Sequence, residues 1–360
     1  MSKKKKLICG IDYIKGAEIG GPTTNSNRIL NSELSGRIKF VPIFHDMQLG
    51  KGLSLKRILD LKRQILDINA DVILISGVQL AAFHILIACI LAGQRSRFMI
   101  LRGFSVDALD ISVFKKLIMG LLIEPLCFIM CTKFVGNSFY TSSRLISKIF
   151  FWKNKGSIYN LIPETFAKKN MQLKEIKTSL GVPENKIILS SVGRITTDKG
   201  YKLLAESILS LSKKRNDFVL LIAGDGTFLN ALKFFIKRNK LENYIFLLGI
   251  RKDVENINGI SDIFIMPSLH ETLSSALLEA GLQECALIAS NNGGMVEIVK
   301  NGFNGLTFKT GSQEELENSI SFLLDSKKLR VSMGKNAKNF ILKKFDNKKS
   351  LSKLESFLCN

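Results

Sequence analysis

Short apolar runs alternate with amphipathic stretches along the first 165 residues. The apolar runs, which are typical of buried strands, are Leu7–Ile11, Arg37–Ile43, Val72–Ser76 and Phe98–Leu101. Apolar positions recur at helical spacing in Asn25–Leu34, Leu53–Ile68 and Val78–Leu91. Because strands that alternate with helices usually form a parallel sheet covered on both faces, this part predicts a doubly wound α/β domain.

The same alternation restarts after residue 165. Its predicted strands are Lys186–Val192, Phe218–Ala223, Ile245–Leu248, Ile263–Met266 and Ala286–Ala289, and its predicted helices are Tyr201–Leu211, Ala231–Asn239 and Thr272–Ala280. The sequence from Glu314 onward is mostly helical in pattern, and a charged stretch with Pro163, Gly181 and Pro183 separates the halves. We therefore predict domains at 1–165 and 166–340, followed by a helix at 341–360.

Basic residues dominate the charge, especially in the first domain. The chain has a formal net charge of +21, and residues 1–165 contain 23 Lys and Arg against 11 Asp and Glu, a net of +12. Such an excess is typical of proteins that meet nucleic acid, an anionic membrane surface or phosphorylated substrates. With one Trp and no basic strand interleaved with aromatic residues, the chain lacks a stacking platform, so no nucleic-acid partner is predicted.

No segment has the length and composition of a membrane-spanning helix. The apolar run at Leu80–Ala92 is shorter than the ~20 residues needed, and Glu124-Pro125 interrupts Leu117–Cys131. The basic start, with Lys3–Lys6, leads into a first strand rather than a signal peptide. The six Cys form no disulfide or metal-site spacing, since the pair Cys127 and Cys131 has no further ligand nearby.

Two glycine-containing turns follow the first two strands of the second domain. GRITTDKG begins at Gly193 and places Arg194 and Lys199 after a strand, where two cations could neutralise a diphosphate. AGDG, with Gly224, would allow close backbone approach. Taken alone, the first segment is equally consistent with a solvated charged turn, and the second with a common strand-to-helix turn.

Two further segments combine carboxylates with a helix start. PSLHETLSSALLEAG contains Glu271 before the predicted helix and Glu279 within it, and the helix is expected to open at Thr272. The N–H groups of Leu273 and Ser274 would then form an anion site. NNGGMVEIV has two glycines before a short helix with Glu297. Each segment alone also fits an ordinary turn followed by a helix.

Together and in this order, the four segments resemble the signature of glycosyltransferase family 4. The matching features are G-R-x(4)-K-G, the pair Glu271 and Glu279 separated by seven residues, and G-G-x-x-E ending at Glu297. SDIFIMPS at 261–268 is similar to the family's strand, NLIPETF at 160–166 to its interdomain segment, and GGPT at 20–23 to its N-terminal glycine turn. The likeness covers 186–345 closely and the first domain loosely.

The resemblance implies the GT-B fold, with two Rossmann-like domains facing a cleft and a C-terminal helix that packs back toward the N-terminal domain. It implies a retaining transferase that moves a sugar from a UDP- or GDP-sugar to a glycan or polyprenyl-linked acceptor, in synthesis of a bacterial surface polysaccharide such as lipopolysaccharide, O-antigen or capsule. The enzyme would be cytoplasmic and peripheral on the inner, anionic face of the cytoplasmic membrane. No cofactor or metal is expected, and the chain contains no D-x-D pair.

Residue roles follow from the same resemblance. Arg194 and Lys199 would bind the donor diphosphate, Glu271 the transferred sugar and Glu279 the ribose. Donor contacts would come from residues at the positions of the family's binding motifs, namely Gly21, Gly193, Gly224, Thr272, Leu273 and Ser274.

Three positions depart from the family pattern. Thr272 replaces a usual Gly, His270 stands at a position that is often aromatic or small, and Arg102 stands where many members have a His. A guanidinium cannot act as a base, so Arg102 would hold an acceptor or a phosphate. The alternatives are another GT-B enzyme, such as a sugar-nucleotide epimerase or a phosphorylase, and, more remotely, a basic nucleic-acid-binding protein.

Overall fold

A computed structural model describes residues 6–14, 21–107, 112–164, 172–183 and 185–359. The chain divides into two compact units, one running to Leu161 and including the segment from Asn347 onward, the other spanning Ile162–Asp346. Lys3–Lys5, Gly20 and Phe166, on which parts of the sequence interpretation rest, lie outside the described residues, as does the predicted junction between 165 and 166.

The first unit contains a six-stranded parallel sheet in the order β2-β1-β3-β4-β5-β6. Its strands are β1 (Leu7–Ile14), β2 (Ile38–His45), β3 (Val72–Ser76), β4 (Arg97–Leu101), β5 (Lys133–Gly136) and β6 (Asn154–Ser157). Its helices are α1 (Gly21–Leu30), α2 (Leu55–Ile68), α3 (Leu80–Leu91), α4 (Val113–Ile118), α5 (Glu124–Met130), α6 (Phe139–Ser142) and α7 (Leu145–Ile149). A π-helical turn at Met119–Ile123 joins α4 directly to α5.

Two separate cores cover the two faces of this sheet. Alternate side chains of β3 point into different cores. Ile73 and Ile75 belong to the core under α2, α3 and α5, whereas Val72 and Leu74 belong to the opposite core. The near-continuous apolar sequence of β3 follows from this double burial.

The helix α16 (Asn347–Cys359) belongs to the first unit, although the whole of the second unit precedes it in sequence. Its apolar side chains, including Leu354 and Phe357, complete the core that also contains Cys9 and Ile11. The Phe357 ring lies 5.2 Å from that of Phe98 on β4. The predicted return of the C-terminal helix to the N-terminal domain is confirmed.

The second unit repeats the architecture with the strand order β12-β11-β10-β7-β8-β9, again all parallel. Its strands are β7 (Ile187–Val192), β8 (Phe218–Ala223), β9 (Ile245–Gly249), β10 (Ile263–Met266), β11 (Ala286–Ser290) and β12 (Gly305–Phe308). Its helices are α8 (Gln172–Ser179), α9 (Tyr201–Ser212), α10 (Leu229–Arg238), α11 (Val254–Ile260), α12 (Ser275–Leu282), α13 (Met295–Ile298), α14 (Gln313–Asp325) and α15 (Lys327–Lys344). Both faces are again covered by apolar cores.

The described residues were compared with the requirements for a membrane-spanning helix and for a metal site. No described helix combines the length and the apolar composition required to cross a bilayer. Cys127 and Cys131 are buried among apolar side chains, and the described part of the chain contains no group of three or more potential metal ligands.

Candidate functional site

Four loops of the second unit leave the sheet at the same edge. They follow β7, β8, β10 and β11, which are consecutive in the order β11-β10-β7-β8, and all four strands run parallel. Because parallel strands end at one edge of the sheet, the four sequence segments that carry the predicted site lie on neighbouring loops. Sheet topology thus collects motifs that are as far as 100 residues apart in the sequence.

Close backbone contact joins the loops after β7 and β8. A Cβ atom on Gly224 would lie 1.8 Å from the carbonyl oxygen of Gly193, and Gly224 has φ of +149°. The N–H of Ile195 donates to the carbonyl of Asp225 at 2.8 Å. Any side chain at position 224 would push these two loops apart, so the glycine sets the position of the Arg194 loop.

The loops after β10 and β11 are held together in the same way. A Cβ on Gly293 would lie 1.9 Å from the carbonyl oxygen of Glu271, and a Cβ on Gly294 would lie 1.8 Å from that of Thr272. The N–H of Gly294 donates to the Glu271 carbonyl at 2.9 Å, and Nδ2 of Asn292 donates to that of Leu269 at 2.7 Å. The two glycines therefore fix the backbone of residues 269–272.

An ion pair connects the loop after β7 with the loop after β10. Nζ of Lys199 lies 2.7 Å from Oε1 of Glu271, and it lies 3.6 Å from Oδ2 of Asp198. The side chains of Lys199 and Glu271 are only 15% and 18% exposed. Backbone contact supports the pair, because the N–H of Leu269 donates to the Asp198 carbonyl at 2.8 Å.

Arg194 differs from Lys199 in its surroundings. Its side chain is exposed, and no ion-pair partner for it is found among the described residues, whereas the next residue, Ile195, is fully buried and anchors the loop. Of the two predicted cations, one is engaged with a carboxylate and the other is available to an anion.

The helix α12 begins three residues later than the sequence pattern predicts. It starts at Ser275, and the Ser274 hydroxyl accepts a hydrogen bond from the N–H of Leu277 as the N-cap. Thr272, Leu273 and Ser274 therefore form the buried approach to the helix rather than its first turn. The prediction that the helix opens at Thr272 was wrong, because serine is a strong N-cap that competes with helix extension.

Two other polar side chains belong to this region. Glu279 is half-buried in the middle of α12. Tyr201 begins α9 directly after the Lys199 loop and is buried, which raises the pKa of its phenol to about 12. Tyr201 was not predicted from the sequence, since a tyrosine in the first turn of a helix carries no specific signal.

A cluster of buried polar residues lies near the carboxyl ends of the strands in the first unit's sheet. Oδ1 of Asp12 accepts from the N–H of Ser76 at 2.8 Å, and Oδ2 lies 3.7 Å from Nε2 of His45. Nη1 of Arg102 donates to Oδ1 of Asn160 at 3.2 Å. Burial lowers the pKa of Arg102 to about 10, and the nearby Asp12 opposes that change.

Sequence reasoning found Arg102 but missed Asp12 and His45. Each of these is a single polar residue near the end of an apolar strand. They are recognised as a cluster only because both side chains are buried, with Asp12 7% and His45 1% exposed. Gly21, the predicted donor contact of this unit, is the first residue of α1.

Comparisons with known proteins agree with this architecture. Residues 173–340 match the family described as glycosyl transferases group 1. Over 179 residues the chain is 32% identical to the Escherichia coli UDP-Gal:alpha-D-GlcNAc-diphosphoundecaprenol alpha-1,3-galactosyltransferase, covering 49% of this chain and 46% of that protein. This chain therefore spans about half the length of this curated relative.

A longer alignment and a solved structure extend the likeness to both units. The Staphylococcus aureus capsular polysaccharide biosynthesis glycosyltransferase CapM is 24% identical over 291 residues, or 78% of this chain and 74% of that protein. The crystal structure of Anabaena Alr3699/HepE in complex with UDP-glucose superposes with a TM-score of 0.77 at 19% identity, covering 97% of this chain and all of that one. At this identity the superposition establishes a shared fold.

Proposed function

We propose that this protein, whose residues 173–340 match the glycosyl transferases group 1 family and whose chain has the GT-B fold, is a retaining glycosyltransferase that uses a nucleotide-sugar donor. The donor would be a UDP- or GDP-sugar bound by the second unit. The acceptor would be a glycan or a polyprenyl-linked sugar in the synthesis of a bacterial surface polysaccharide. The names of the galactosyltransferase and of the capsular protein support this class of acceptor.

The ion pair between Lys199 and Glu271 is the observation that carries the proposal. A half-buried ammonium and carboxylate at 2.7 Å place one group suited to a phosphate beside one suited to sugar hydroxyls. Exposed Arg194 on the same loop would add a fork of donors to the diphosphate. Glu279, one α12 turn beyond the helix start, would accept hydrogen bonds from the ribose diol.

The chemistry follows from where charge develops. As the bond from the sugar's anomeric carbon to the phosphate oxygen breaks, the ring becomes positive and the departing diphosphate negative. Cations fixed before the reaction stabilise that phosphate without reorganisation, which is the main source of rate enhancement in such sites. The acceptor hydroxyl forms the new bond to the anomeric carbon on the face that the phosphate leaves, and its proton passes to the departing phosphate oxygen.

The remaining donor contacts belong to the backbone. Gly193 and Gly224 let the loops after β7 and β8 approach each other, and the segment Thr272–Ser274 leads into α12 beside Glu271. The N–H groups of Leu273 and Ser274 would bind a phosphate from this extended segment rather than from a helical turn. Gly21, at the start of α1, is a further proposed donor contact.

Location and metal use complete the proposal. The enzyme would work in the cytoplasm at the inner face of the membrane, where its net positive charge suits anionic lipids. Transfer would need no metal, because Arg194 and Lys199 would meet the charge of the diphosphate.

A direct test is acceptor-dependent release of nucleoside diphosphate. The purified chain would be incubated with a panel of UDP- and GDP-sugars, with and without bacterial lipid extract. We expect one donor to be consumed only with extract, giving a glycosylated lipid whose anomeric configuration matches that of the donor. Conversion of the donor to another nucleotide sugar without acceptor would instead indicate an epimerase, and the absence of both reactions would reject the proposal.

A further inference from the structure

The helical stretch formed by α4, the π-helical turn and α5 is apolar on both of its sides. Its inner side, with Met119, Ile123 and Cys127, packs into the core of the first unit. Its outer side carries Phe114 and Leu121, which are 73% and 75% exposed. A soluble amphipathic helix normally places polar residues there.

The same apolar surface continues beyond the end of α5. Nζ of Lys153 donates to the carbonyls of Phe128, Ile129 and Cys131 at 2.7–2.8 Å, which fixes the turn at 151–153 against the helix C-terminus. Phe150 of the same segment stacks on Phe128, with ring centroids 5.3 Å apart. We define the outer apolar surface by exposed apolar residues of this helical stretch and of the segment 145–153 that contacts its C-terminal end, namely Phe114, Leu121, Ile129, Leu145, Phe151 and Trp152.

The segment that carries the outer apolar surface is rich in basic residues. Between residues 112 and 157 the sequence has seven Lys and Arg but one acidic residue, Glu124. That carboxylate is 2% exposed and accepts the N–H of Ser105, so it presents no charge to the outside. Lys148 lines one shallow depression together with Phe139 and Phe151, so at least one of these cations shares a surface with apolar rings.

We propose that the outer apolar surface inserts its side chains into the lipid of an anionic membrane leaflet, with the surrounding lysines on the headgroups. Exposed apolar patches of this extent mark interaction sites, and apolar residues ringed by lysine with a tryptophan at the edge match the chemistry of a membrane interface. A protein partner would also bury the apolar residues. Within residues 112–157 no exposed carboxylate accompanies the exposed lysines, which favours an anionic partner.

Insertion predicts behaviour that attraction between charges does not. Charges at a surface are screened at high salt, whereas transfer of apolar side chains from water is not weakened by it. Attachment through the outer apolar surface should therefore survive salt in substantial part. This proposal rests on the proposed function only in expecting a lipid-carried acceptor at the same membrane.

The single tryptophan of the chain is a built-in reporter of insertion. Trp152 is 57% exposed and lies in the outer apolar surface. On adding vesicles of phosphatidylcholine and phosphatidylglycerol to the full chain, we expect its emission to shift to shorter wavelength and to become protected from a soluble quencher. Unchanged emission and quenching would overturn the proposal.

Flotation with the same vesicles, in low salt and at about 1 M salt, tests the surface by substitution. Leu121→Asp and Phe151→Asp should each weaken partitioning about tenfold, since burying one large apolar side chain is worth roughly that factor. Phe234→Asp is the matched control, because Phe234 is 67% exposed on α10 of the second unit and should change nothing. All three sites are exposed, so circular dichroism should stay native.

The results separate insertion from its alternatives. Binding that disappears entirely at high salt, or that both aspartate variants retain in full, would overturn insertion. Absence of flotation would also overturn insertion. Protection of Trp152 by an added protein would then indicate a protein partner instead. No donor or acceptor enters these measurements, so vesicle binding without sugar transfer would leave this inference standing while the proposed function fails.

Discussion

Nζ of Lys199 and Oε1 of Glu271 lie 2.7 Å apart although 72 positions separate the two residues in sequence. The contact exists because β10 pairs directly with β7, which brings the loops that follow these strands side by side. A diphosphate that binds here would share the Lys199 ammonium with Glu271 and draw on exposed Arg194. The charge balance of this site is therefore set by the protein's own groups.

Replacing Lys199 by alanine should lower turnover by about 10²–10³-fold, because one preorganised donor to the leaving phosphate is lost. Arg194→Ala should act in the same direction with little effect on stability, since its side chain is exposed. Lys202→Ala is the control, being 72% exposed on the adjacent helix. The measurement is the initial rate with saturating donor. Wild-type rates in both K199A and R194A would exclude the diphosphate contact.

Replacing Glu279 by alanine should weaken the binding of nucleoside diphosphate about tenfold. The physical reason is the loss of charge-assisted hydrogen bonds to a ribose diol. Glu242→Ala, at an exposed loop carboxylate, serves for comparison. Titration calorimetry reports the dissociation constant, and equal constants for wild type and E279A would remove Glu279 from the donor site.

Gly294→Ala should destabilise the second unit by about 1–3 kcal/mol, as overpacking does. Gly294 has an ordinary φ of −78°, so the whole cost arises from the Cβ that would meet the Thr272 carbonyl oxygen at 1.8 Å. Gly36→Ala is the control, since nothing lies within 4 Å of its Cβ position. The midpoint of urea unfolding is the readout, and an unshifted midpoint for G294A would show that the loops can separate without cost.

Chelation of divalent ions should leave sugar transfer intact. In the proposed site Arg194 and Lys199 meet the negative charge of the diphosphate, and the chain has no D-x-D pair. Rates would be compared in EDTA and in added manganese, with the Lys199→Ala variant alongside. Activity that vanishes in EDTA and returns with manganese contradicts the prediction.

Only one of the six thiols should react rapidly in the folded protein. Burial raises the pKa of Cys89 and Cys131 to about 12, so the reactive thiolate is scarce there at neutral pH, and Cys359 is the exposed cysteine. A thiol reagent should titrate one group in buffer and six in denaturant. Cys359→Ser should abolish the fast reaction, and several fast thiols in the wild type would contradict the buried positions.

The strands of the second sheet were predictable because they are buried on both faces. Phe218–Ala223 and Ile263–Met266 begin and end where their apolar runs do. The four-residue strands β5 and β12 were missed, since Lys133–Gly136 and Gly305–Phe308 are too short and too mixed to form a periodic signal. Their conformation depends on the neighbouring strands with which they pair.

The loops that carry the candidate site residues were predictable from the sequence, but the contacts between these loops were not. Glycines and cations after strands indicated the loops, and the strand order brings Lys199 to Glu271. Nothing in the sequence orders β10 beside β7, and nothing in it indicates that Asp12 and His45 are buried together. Such pairs depend on distances between residues that are remote in sequence.

The position of α16 has a consequence for how the protein matures during synthesis. The core around Cys9 and Ile11 stays open until Leu354 and Phe357 have been made. At the usual 5–20 residues per second, that delay is on the order of 10–40 s after Leu161 is added. The earlier half therefore exposes an unfilled apolar face to chaperones throughout the synthesis of the later half.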